Sequence, residues 1–318
     1  MLKYIVIWVT FLALIVIAFP LWLNLNYSDR PDVYSSQTSI DVYFASEDKT
    51  ETMNFEDYIT GVVMAEMPAS FEIEALKAQA VAARTYTIEK IKSAKKNAFH
   101  KGADICTDFS HCQAFVSNND ARTKWGKDYN KYLKKCQDAV TETIGMVAMY
   151  ENKPIKAVFH AFAGGKTENA SDVWGTDVSY LKSVESPGDK SAPKFKTEKE
   201  FSLEEFKSIL KSETDVDFSE NIVGKITYTE GGAVANAELG NKTFKGTKIR
   251  QLFSLRSACF EIENRGDSIL FRVKGYGHGV GMSQYGANYY AKKGLKYDEI
   301  LKKYYSGIDV VRIDKPLE

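Results

Sequence analysis

The sequence predicts an α+β fold that follows an N-terminal membrane-spanning helix, and three observations support this prediction. Residues 4–23 contain no charged side chain, residues 54–91 have the pattern of two consecutive helices, and the later sequence contains short alternating strands separated by turns. Helices and hairpins that occur in separate stretches, without regular β-α alternation, are typical of the α+β class. We therefore expect helices and antiparallel hairpins around a substrate cleft, with a smaller second lobe at about residues 195–260.

The composition indicates a folded protein without an overall electrostatic field. The 318 residues are 44% hydrophobic and 13% aromatic, which is enough to form a substantial core. Lysine plus arginine number 42, and aspartate plus glutamate also number 42. A chain with balanced charge has no general attraction to nucleic acid, so we expect no nucleic-acid partner.

The N-terminal apolar stretch is long enough to be a membrane anchor. A helix of about 20 apolar residues spans the hydrocarbon layer, and residues 4–23 supply this length. Lys3 favours a cytoplasmic N-terminus, which would place residues 24–39 outside as a linker and residues 40–318 outside as the catalytic domain. The alternative is a cleavable signal peptide, whose apolar core is usually shorter and ends in small residues.

The first elements of the folded part are a strand and two helices. Alternating apolar residues from Ile40 predict a half-buried strand, and Asn54 can cap a helix that Pro68 terminates. Ser70 can cap a second helix, which an alanine-rich sequence continues to Ile91.

Two hairpins are predicted farther along the chain. The first consists of residues 146–150 and 155–161, which flank a turn at residues 151–154. The second consists of residues 226–237 and turns at Gly231 and Gly232.

Glu66 is the candidate general acid because it lies in an apolar stretch at the end of a helix. Burial disfavours the ionised form of a carboxyl group, so such a glutamate can remain protonated near neutral pH and donate its proton. The alternative is a salt-bridged glutamate at a helix end. Arg84 lies within the alanine-rich helix, and its guanidinium is expected in a cleft or in a buried pair, the alternative being an ordinary surface arginine.

The sequence around these two residues resembles the stage II sporulation protein D family. Residues 65–71 and 74–85 carry the resemblance, and two further blocks agree with it, at residues 164–175 and 277–287. The resemblance implies that Glu66 is the catalytic acid/base and that Arg84 lines the same cleft. The other cleft residues that it implies are Thr167, Tyr180, Lys182, Asp189, His278, Ser283, Gln284 and Tyr285. Ala161 and Ala163 depart from the small hydroxyl residues usual in relatives, which affects substrate hydrogen bonds rather than the reaction.

The alternating glycines at positions 275, 277, 279 and 281 could suggest a phosphate-binding loop. No strand-loop-helix unit with a ribose-binding acid accompanies them, so this interpretation is weak. Glycines at this spacing instead allow the backbone to approach a bulky ligand closely, with His278 projecting from the loop.

A cluster of histidines and cysteines predicts a structural zinc site. His100, Cys106, His111 and Cys112 provide two imidazoles and two thiols, a set of four ligands that closes a tetrahedral zinc shell. The alternative is a disulfide between the two cysteines, which an extracytoplasmic location permits. The resemblance adds that related clostridial members carry zinc here. Cys136 and Cys259 remain unassigned, whether paired, buried or free.

The resemblance implies a lytic transglycosylase that cleaves denuded peptidoglycan strands between N-acetylmuramic acid and N-acetylglucosamine during sporulation. It also implies the partners stage II sporulation proteins P and M, and a location at the engulfing membrane. Two alternatives remain open. One is a zinc-dependent hydrolase of stem peptides, against which the closed ligand set argues, and the other is a non-catalytic wall-binding module that uses aromatics such as Trp174.

Overall fold

The computed structural model describes residues 38–93 and 98–314. No helix in these two ranges is long and apolar enough to cross a membrane. The predicted anchor at residues 4–23 lies outside the described residues, as does nearly all of the predicted linker.

Helices and strands alternate irregularly along the described chain. The helices are α1 (Phe55–Glu66), α2 (Ile73–Ser93), α3 (Asn118–Trp125), α4 (Tyr129–Glu142), α5 (Ala170–Trp174), α6 (Leu203–Glu213), α7 (Gly246–Leu252), α8 (Gln284–Lys292) and α9 (Tyr297–Tyr304). The strands are β1 (Ser39–Phe44), β2 (Lys49–Asn54), β3 (Ile105–Cys106), β4 (Met146–Tyr150), β5 (Lys153–Pro154), β6 (Phe159–His160), β7 (Lys196–Ser202), β8 (Val223–Tyr228), β9 (Val234–Leu239), β10 (Lys242–Lys245), β11 (Phe260–Asn264), β12 (Ser268–Lys274), β13 (Met282–Ser283) and β14 (Asp309–Arg312).

The strands form small, mostly antiparallel sheets, which confirms the α+β class. Their orders are β2-β1-β3, β10-β9-β8, β11-β12-β7, β13-β6 and β14-β4-β5. The pairs β1-β3 and β6-β13 are parallel, and every other strand pair in these sheets is antiparallel.

Helices α1 and α2 form the centre of the main hydrophobic core. As predicted, the side chain of Asn54 caps α1 by accepting hydrogen bonds from the backbone N–H groups of Glu56 and Asp57, and the helix ends two residues before Pro68. The prediction that Ser70 caps α2 was wrong. The N–H of Phe71 donates to the carbonyl of Pro68 in a tight turn, and α2 begins only at Ile73.

The predicted hairpin at residues 146–161 is much shorter than expected. A two-residue turn with positive φ at Glu151 and Asn152 joins β4 to β5, and the pairing then stops at Pro154. One further backbone hydrogen bond, from the N–H of Ile155 to the carbonyl of Ala148 over 3.1 Å, closes the hairpin. The other edge of β4 pairs with β14, while His160 in β6 pairs with β13.

Residues 201–273 contribute a second hydrophobic core, in which Phe206, Phe253 and Phe271 pack against one another. The predicted second hairpin is present as β8 and β9. This part of the chain contributes one wall of the site described below, through α7.

Candidate functional site

Glu66 lies at the junction of two cavities in the protein surface. The larger cavity has a volume of about 710 Å³ and the smaller one about 340 Å³, and both are lined by Ala65 and Glu66. We call the two together the groove. A linear polymer bound in the groove would extend away from the Glu66 carboxyl group in both directions. This is the geometry needed to cleave a polymer at an internal bond.

The environment of Glu66 favours its protonated form. Burial raises the pKa of the carboxyl group, while hydrogen bonds with the Ala114 N–H and the Gln284 side chain oppose the shift without cancelling it. The N–H of Ala114 donates to Oε1 over 2.7 Å, which fixes the orientation of the carboxyl group. Glu66 therefore presents a carboxyl group of fixed orientation to a ligand in the groove.

A glycine within α1 sets the position of Ala114. A Cβ atom at Gly61 would lie 2.2 Å from the ring of Phe115, so only glycine allows this ring to pack against the helix. The Phe115 ring stacks on Tyr58, and the N–H of Val116 donates to the carbonyl of Gly61 over 3.2 Å. These contacts hold the segment that supplies the N–H group to Glu66.

The four predicted metal ligands lie together and could hold a metal ion. The donor atoms of His100, Cys106, His111 and Cys112 all lie within 4.8 Å of one another. Nε2 of His100 is 3.2 Å from Nδ1 of His111 and 3.2 Å from the sulfur of Cys112. Donor atoms around a tetrahedral zinc ion lie about 3.3–3.8 Å apart, so the cluster has a suitable size. A hydrogen bond with Cys112 lowers the pKa of Cys106 to about 5, which favours the thiolate that metals bind.

The metal cluster borders the groove. His111 and Cys112 line the larger cavity together with Glu66, and Ala114 follows two residues later. Both cysteines of the cluster are free thiols, as are Cys136 and Cys259. The described structure therefore contains neither of the two disulfides that the sequence left open.

Arg84 does not reach the groove, which corrects the prediction that it lines the cleft. Its side chain is 0% exposed and forms a two-point ion pair with Glu56, at 2.9 Å and 2.7 Å. It also donates to the carbonyl oxygens of Val140 and Met146. Arg84 thus joins α1 and α2 to α4 and β4, and it forms the buried pair that the sequence offered as the other possibility.

His278 lines the larger cavity, but both of its ring nitrogens are already bonded. Nδ1 accepts from the N–H of Val280 over 3.1 Å, and Nε2 pairs with the carbonyl of Phe159 over 3.0 Å. Burial lowers the pKa of His278 to about 4, so the ring is neutral at pH 7. The ring of Trp174 packs against it at 5.2 Å and is 47% exposed. His278 therefore supports an exposed aromatic surface and is poorly suited to transfer protons.

Two glycines around His278 lie tightly against protein, and one of them, Gly277, also lines the larger cavity. Gly277 and Gly281 have φ values of +119° and +72°. An added Cβ would lie 2.8 Å from His160 at the first position and 2.2 Å from the carbonyl oxygen of Val158 at the second. The loop can therefore lie directly against residues 158–160.

Asp189 and Ser283 form a buried network and do not line the groove. Asp189 is 0% exposed and accepts hydrogen bonds from the hydroxyls of Ser186 and Ser283 and from the N–H of Ala163. Burial raises its pKa to about 6. Ser283 also caps α8 by accepting from the N–H of Gly286. These residues fix the start of α8, the helix that carries Gln284 into the groove.

Thr167 and Lys182 are likewise outside both cavities. Thr167 is buried, and its hydroxyl accepts from the N–H of Val184 over 2.9 Å. Lys182 forms an exposed ion pair with Asp177. The first residue holds a loop in place, and the second is satisfied at the surface.

Tyr180 and Tyr285 also serve as packing residues. The hydroxyl of Tyr180 accepts from the N–H of Lys156 over 3.0 Å. Tyr285 packs edge-on against Phe71 and Phe162, with ring centroids 4.9 Å and 5.5 Å away. Of the cleft residues that the resemblance implied, only Glu66, His278 and Gln284 line the groove.

Several groove residues were missed by sequence reasoning. The larger cavity is also lined by Phe109, Gln113, His160, Arg250 and Tyr276. These residues come from four separate segments, and no local motif links them. The alternation of Tyr276 with glycines in the 275–281 loop was the only available signal, because it predicts an exposed ring on a tight turn.

Comparison with known proteins identifies the family. The SpoIID family model, described as Stage II sporulation protein, matches residues 43–150. The chain is 43% identical over 281 residues to stage II sporulation protein D of Bacillus subtilis (strain 168), covering 88% of this chain and 81% of that protein. It is 42% identical to the protein of the same name from Bacillus amyloliquefaciens, covering 90% and 82%. An uncharacterized protein of Brachyspira hyodysenteriae is 34% identical over 84% of this chain and 70% of its own length. The match extends well beyond the α1-α2 motif, and the chain belongs to the stage II sporulation protein D family.

Proposed function

We propose that this protein is a lytic transglycosylase that cleaves peptidoglycan glycan strands with Glu66 as its one acid/base. The observation that carries the proposal is the composition of the groove. Among the described residues that line its two cavities, Glu66 is the only carboxylate. A site with one protonated carboxyl group can donate a proton and take it back, and this is all that an intramolecular cleavage requires.

The reaction follows from the state of this carboxyl group. Glu66 donates its proton to the oxygen that bridges N-acetylmuramic acid to N-acetylglucosamine, while positive charge develops at the muramyl C1. The resulting carboxylate then accepts the proton of the muramyl C6 hydroxyl, whose oxygen bonds to C1. The bond from C1 to the bridging oxygen breaks, a 1,6-anhydro ring forms, and Glu66 is protonated again.

The environment of Asp189 supports this mechanism over hydrolysis. Glycosidases that use water usually have a second carboxylate about 5–9.5 Å from the first. Besides Glu66, Asp189 is the one carboxylate among the cleft residues that the resemblance implies, but it is fully buried and satisfied by protein groups. The C6 hydroxyl of the substrate is therefore the nucleophile in the proposed reaction.

The walls of the larger cavity suit a carbohydrate strand. Phe109, Trp174 and Tyr276 line the cavity and are 80%, 47% and 49% exposed. Exposed aromatic rings beside a polar cleft provide flat apolar surfaces on which sugar rings can pack. This arrangement also fits the non-catalytic wall-binding alternative, which lacks a role for a protonated Glu66.

The names of the relatives extend the proposal to a cellular role. Two of them are named stage II sporulation protein D, which supports a role in sporulation. We place the catalytic part outside the membrane, anchored by residues 4–23, at the engulfing membrane of the sporulating cell. Stage II sporulation proteins P and M are the proposed partners, P supplying strands without stem peptides.

For the metal site, we propose a structural zinc ion. Four protein ligands at His100, Cys106, His111 and Cys112 fill a tetrahedral shell and leave no position for a reactive water. When bound, zinc would clamp the loop between β3 and α3. This argues against the zinc-dependent hydrolase, although the cluster does border the groove.

Product analysis tests the proposed reaction. The full-length protein in mild detergent is incubated with denuded glycan strands, and the products are weighed by mass spectrometry. We expect 1,6-anhydromuramyl ends, which are lighter by one water than reducing ends. Reducing ends would contradict the mechanism. Released stem peptides would favour the zinc hydrolase, and binding without cleavage would favour the wall-binding module.

A further inference from the structure

Arg250 lies in the wall of the larger cavity without an anionic partner. It belongs to α7, and its guanidinium makes one hydrogen bond within the described chain, from Nε to the carbonyl oxygen of Leu255 at 3.4 Å. Arg84, Arg265 and Arg272 each have a glutamate within 4 Å, whereas no glutamate or aspartate of the described residues lies within 4 Å of the Arg250 guanidinium. Desolvation of the half-buried guanidinium lowers its pKa. An arginine in this setting is stabilised by an anion that arrives with a ligand.

His160 provides an independent sign of a ligand in the same wall. The residue is 4% exposed and lines the larger cavity. Its Nδ1 bonds to the carbonyl of Val280 over 3.1 Å, so Nδ1 carries the proton and Nε2 is an acceptor. Nε2 has no hydrogen-bond partner among the described residues. Buried polar atoms are rarely left unpaired, so a hydrogen-bond donor is expected from outside the chain.

The two residues define the chemistry of the group that they bind. Arg250, His160 and His278 line the same cavity, where burial lowers the pKa values of both histidines and the nearby positive charge of Arg250 lowers them further. Arginine prefers a carboxylate that accepts two parallel hydrogen bonds, and an unprotonated imidazole nitrogen accepts from an O–H or N–H group. The ligand therefore carries a carboxylate with a hydroxyl or amide N–H group nearby.

We propose that Arg250 is a specificity-determining residue that binds the free lactyl carboxylate of a muramyl sugar, while Nε2 of His160 accepts a hydrogen bond from an N–H or O–H of the same strand. The inference rests on the proposed function, since it names the chemical group of that substrate which the groove recognises. A stem peptide converts the lactyl carboxylate into a neutral amide and adds bulk. The guanidinium would then lose its anion, so Arg250 selects strands from which the peptide has been removed.

Binding measurements test this selection separately from catalysis. The probes are two glycan oligomers of alternating N-acetylglucosamine and N-acetylmuramic acid, one with free lactyl carboxylates and one with these converted to primary amides. Calorimetry uses the full-length chain carrying Glu66→Gln, which prevents turnover. We expect the carboxylate form to bind about 10–100-fold more tightly than the amide form, as is usual for a hydrogen bond to a charged group.

Two arginine variants provide the matched comparison. Arg250→Gln should remove the preference for the carboxylate form, and Arg250→Lys should keep part of it, since the charge remains but the two-point geometry is lost. Arg265→Gln is the control. It removes one positive charge from an arginine that pairs with Glu263 and Glu200 outside the two cavities, and it should leave the preference for the carboxylate form unchanged. Equal preference in folded Arg250→Gln and in the parent chain would overturn the proposal.

A variant of His160 tests the second contact. Asn keeps a donor near the carbonyl of Val280 but removes the acceptor at Nε2, so His160→Asn should weaken binding of both oligomers by a similar factor. Gln places an amide group near Nε2 and should restore part of the affinity. Unchanged affinity for both oligomers in folded His160→Asn would contradict this contact.

Kinetics with Glu66 intact distinguish a failure of this inference from a failure of the proposed function. Arg250→Gln should raise KM for denuded strands by about 10–100-fold and leave kcat within about threefold. If the unmodified protein prefers the carboxylate oligomer but cleaves neither oligomer, the proposed reaction is wrong and the selection by Arg250 stands. If it cleaves denuded strands and Arg250→Gln has an unchanged KM, the selection is wrong and the reaction stands.

Discussion

Replacing Glu66 by Gln is the most direct test of the single-carboxyl mechanism, because the structure predicts that the variant folds. The Gln side chain has nearly the same shape, and its amide oxygen can accept the 2.7 Å hydrogen bond from the N–H of Ala114. The amide group cannot transfer a proton to a leaving oxygen. The change therefore removes the chemistry and keeps the groove.

The size of the expected loss follows from the composition of the groove. General acid–base catalysis contributes about 10²–10⁴-fold to a rate. No second carboxylate among the described residues lines either cavity, so nothing nearby can take over either half of the reaction. We expect kcat to fall by about 1,000-fold or more, while KM changes by less than about threefold because binding contacts remain.

The same variant should also change how stability depends on pH. Burial raises the pKa of Glu66 in the folded protein, so the folded state holds its proton to higher pH than the unfolded state. The free energy of unfolding therefore decreases as the pH rises from the unfolded pKa through the folded pKa. Gln cannot ionise, so Glu66→Gln should be at least as stable as the parent chain at pH 7–8.

The assay combines anhydro-product formation with urea unfolding. Glu220→Gln, which changes an exposed glutamate far along the chain, should leave turnover unchanged. In the parent chain, kcat/KM should fall as the pH rises through the pKa of Glu66, since the proton donor is lost. Near-normal cleavage by folded Glu66→Gln would refute the reasoning.

Three further predictions concern other parts of the molecule. Burial raises the pKa of Asp189 from 3.8 to about 6, so the free energy of unfolding should fall by about 2 kcal/mol as the pH rises from 4 to 6. Asp189→Asn should lose this dependence in urea unfolding, and an identical pH profile would contradict the assignment. Metal analysis should find about one zinc per chain, and Cys106→Ser should lower the melting temperature more than the kcat of folded protein. A metal-free chain with Cys106 and Cys112 joined as a disulfide would exclude the site. The full chain should fractionate with membranes while a chain that starts at Ile40 stays soluble, and a mature protein without residues 1–23 would show that the segment is cleaved.

Local signals predicted the first helix and the setting of its last residue well. Asn54, the apolar residues before Glu66, and Pro68 each act within a few residues, and the structure has the cap, the helix end and the buried carboxyl group that they indicated. The Ser70 cap failed because Phe71 bonds back to Pro68 instead. The long strand predicted after Pro154 is not formed, because Phe159 and His160 pair with β13, a strand from the other end of the sequence, instead of with β4.

The walls of the groove could not be predicted from the sequence, because they are assembled from distant segments. Arg250, His160 and Phe109 line the same cavity although they come from α7, from β6 and from the loop between β3 and α3, and no spacing along the chain indicates this. For Arg84, a local motif was present but gave the wrong position for the side chain. A motif shared with relatives pointed to the cleft, but the full burial of the side chain and its pair with Glu56 depend on tertiary packing.

The fit between Gly61 and the Phe115 ring has a consequence for interpreting sequence variation. Glycine inside a helix costs about 1 kcal/mol relative to alanine, so a search for stabilising substitutions would choose this position first. A methyl group there would displace Phe115, and with it the neighbouring amide that orients Glu66. Gly61 touches neither cavity, yet its replacement would act as an active-site substitution. The alignment of the reactive carboxyl group therefore depends on the absence of a side chain at Gly61, about one and a half turns earlier in the same helix.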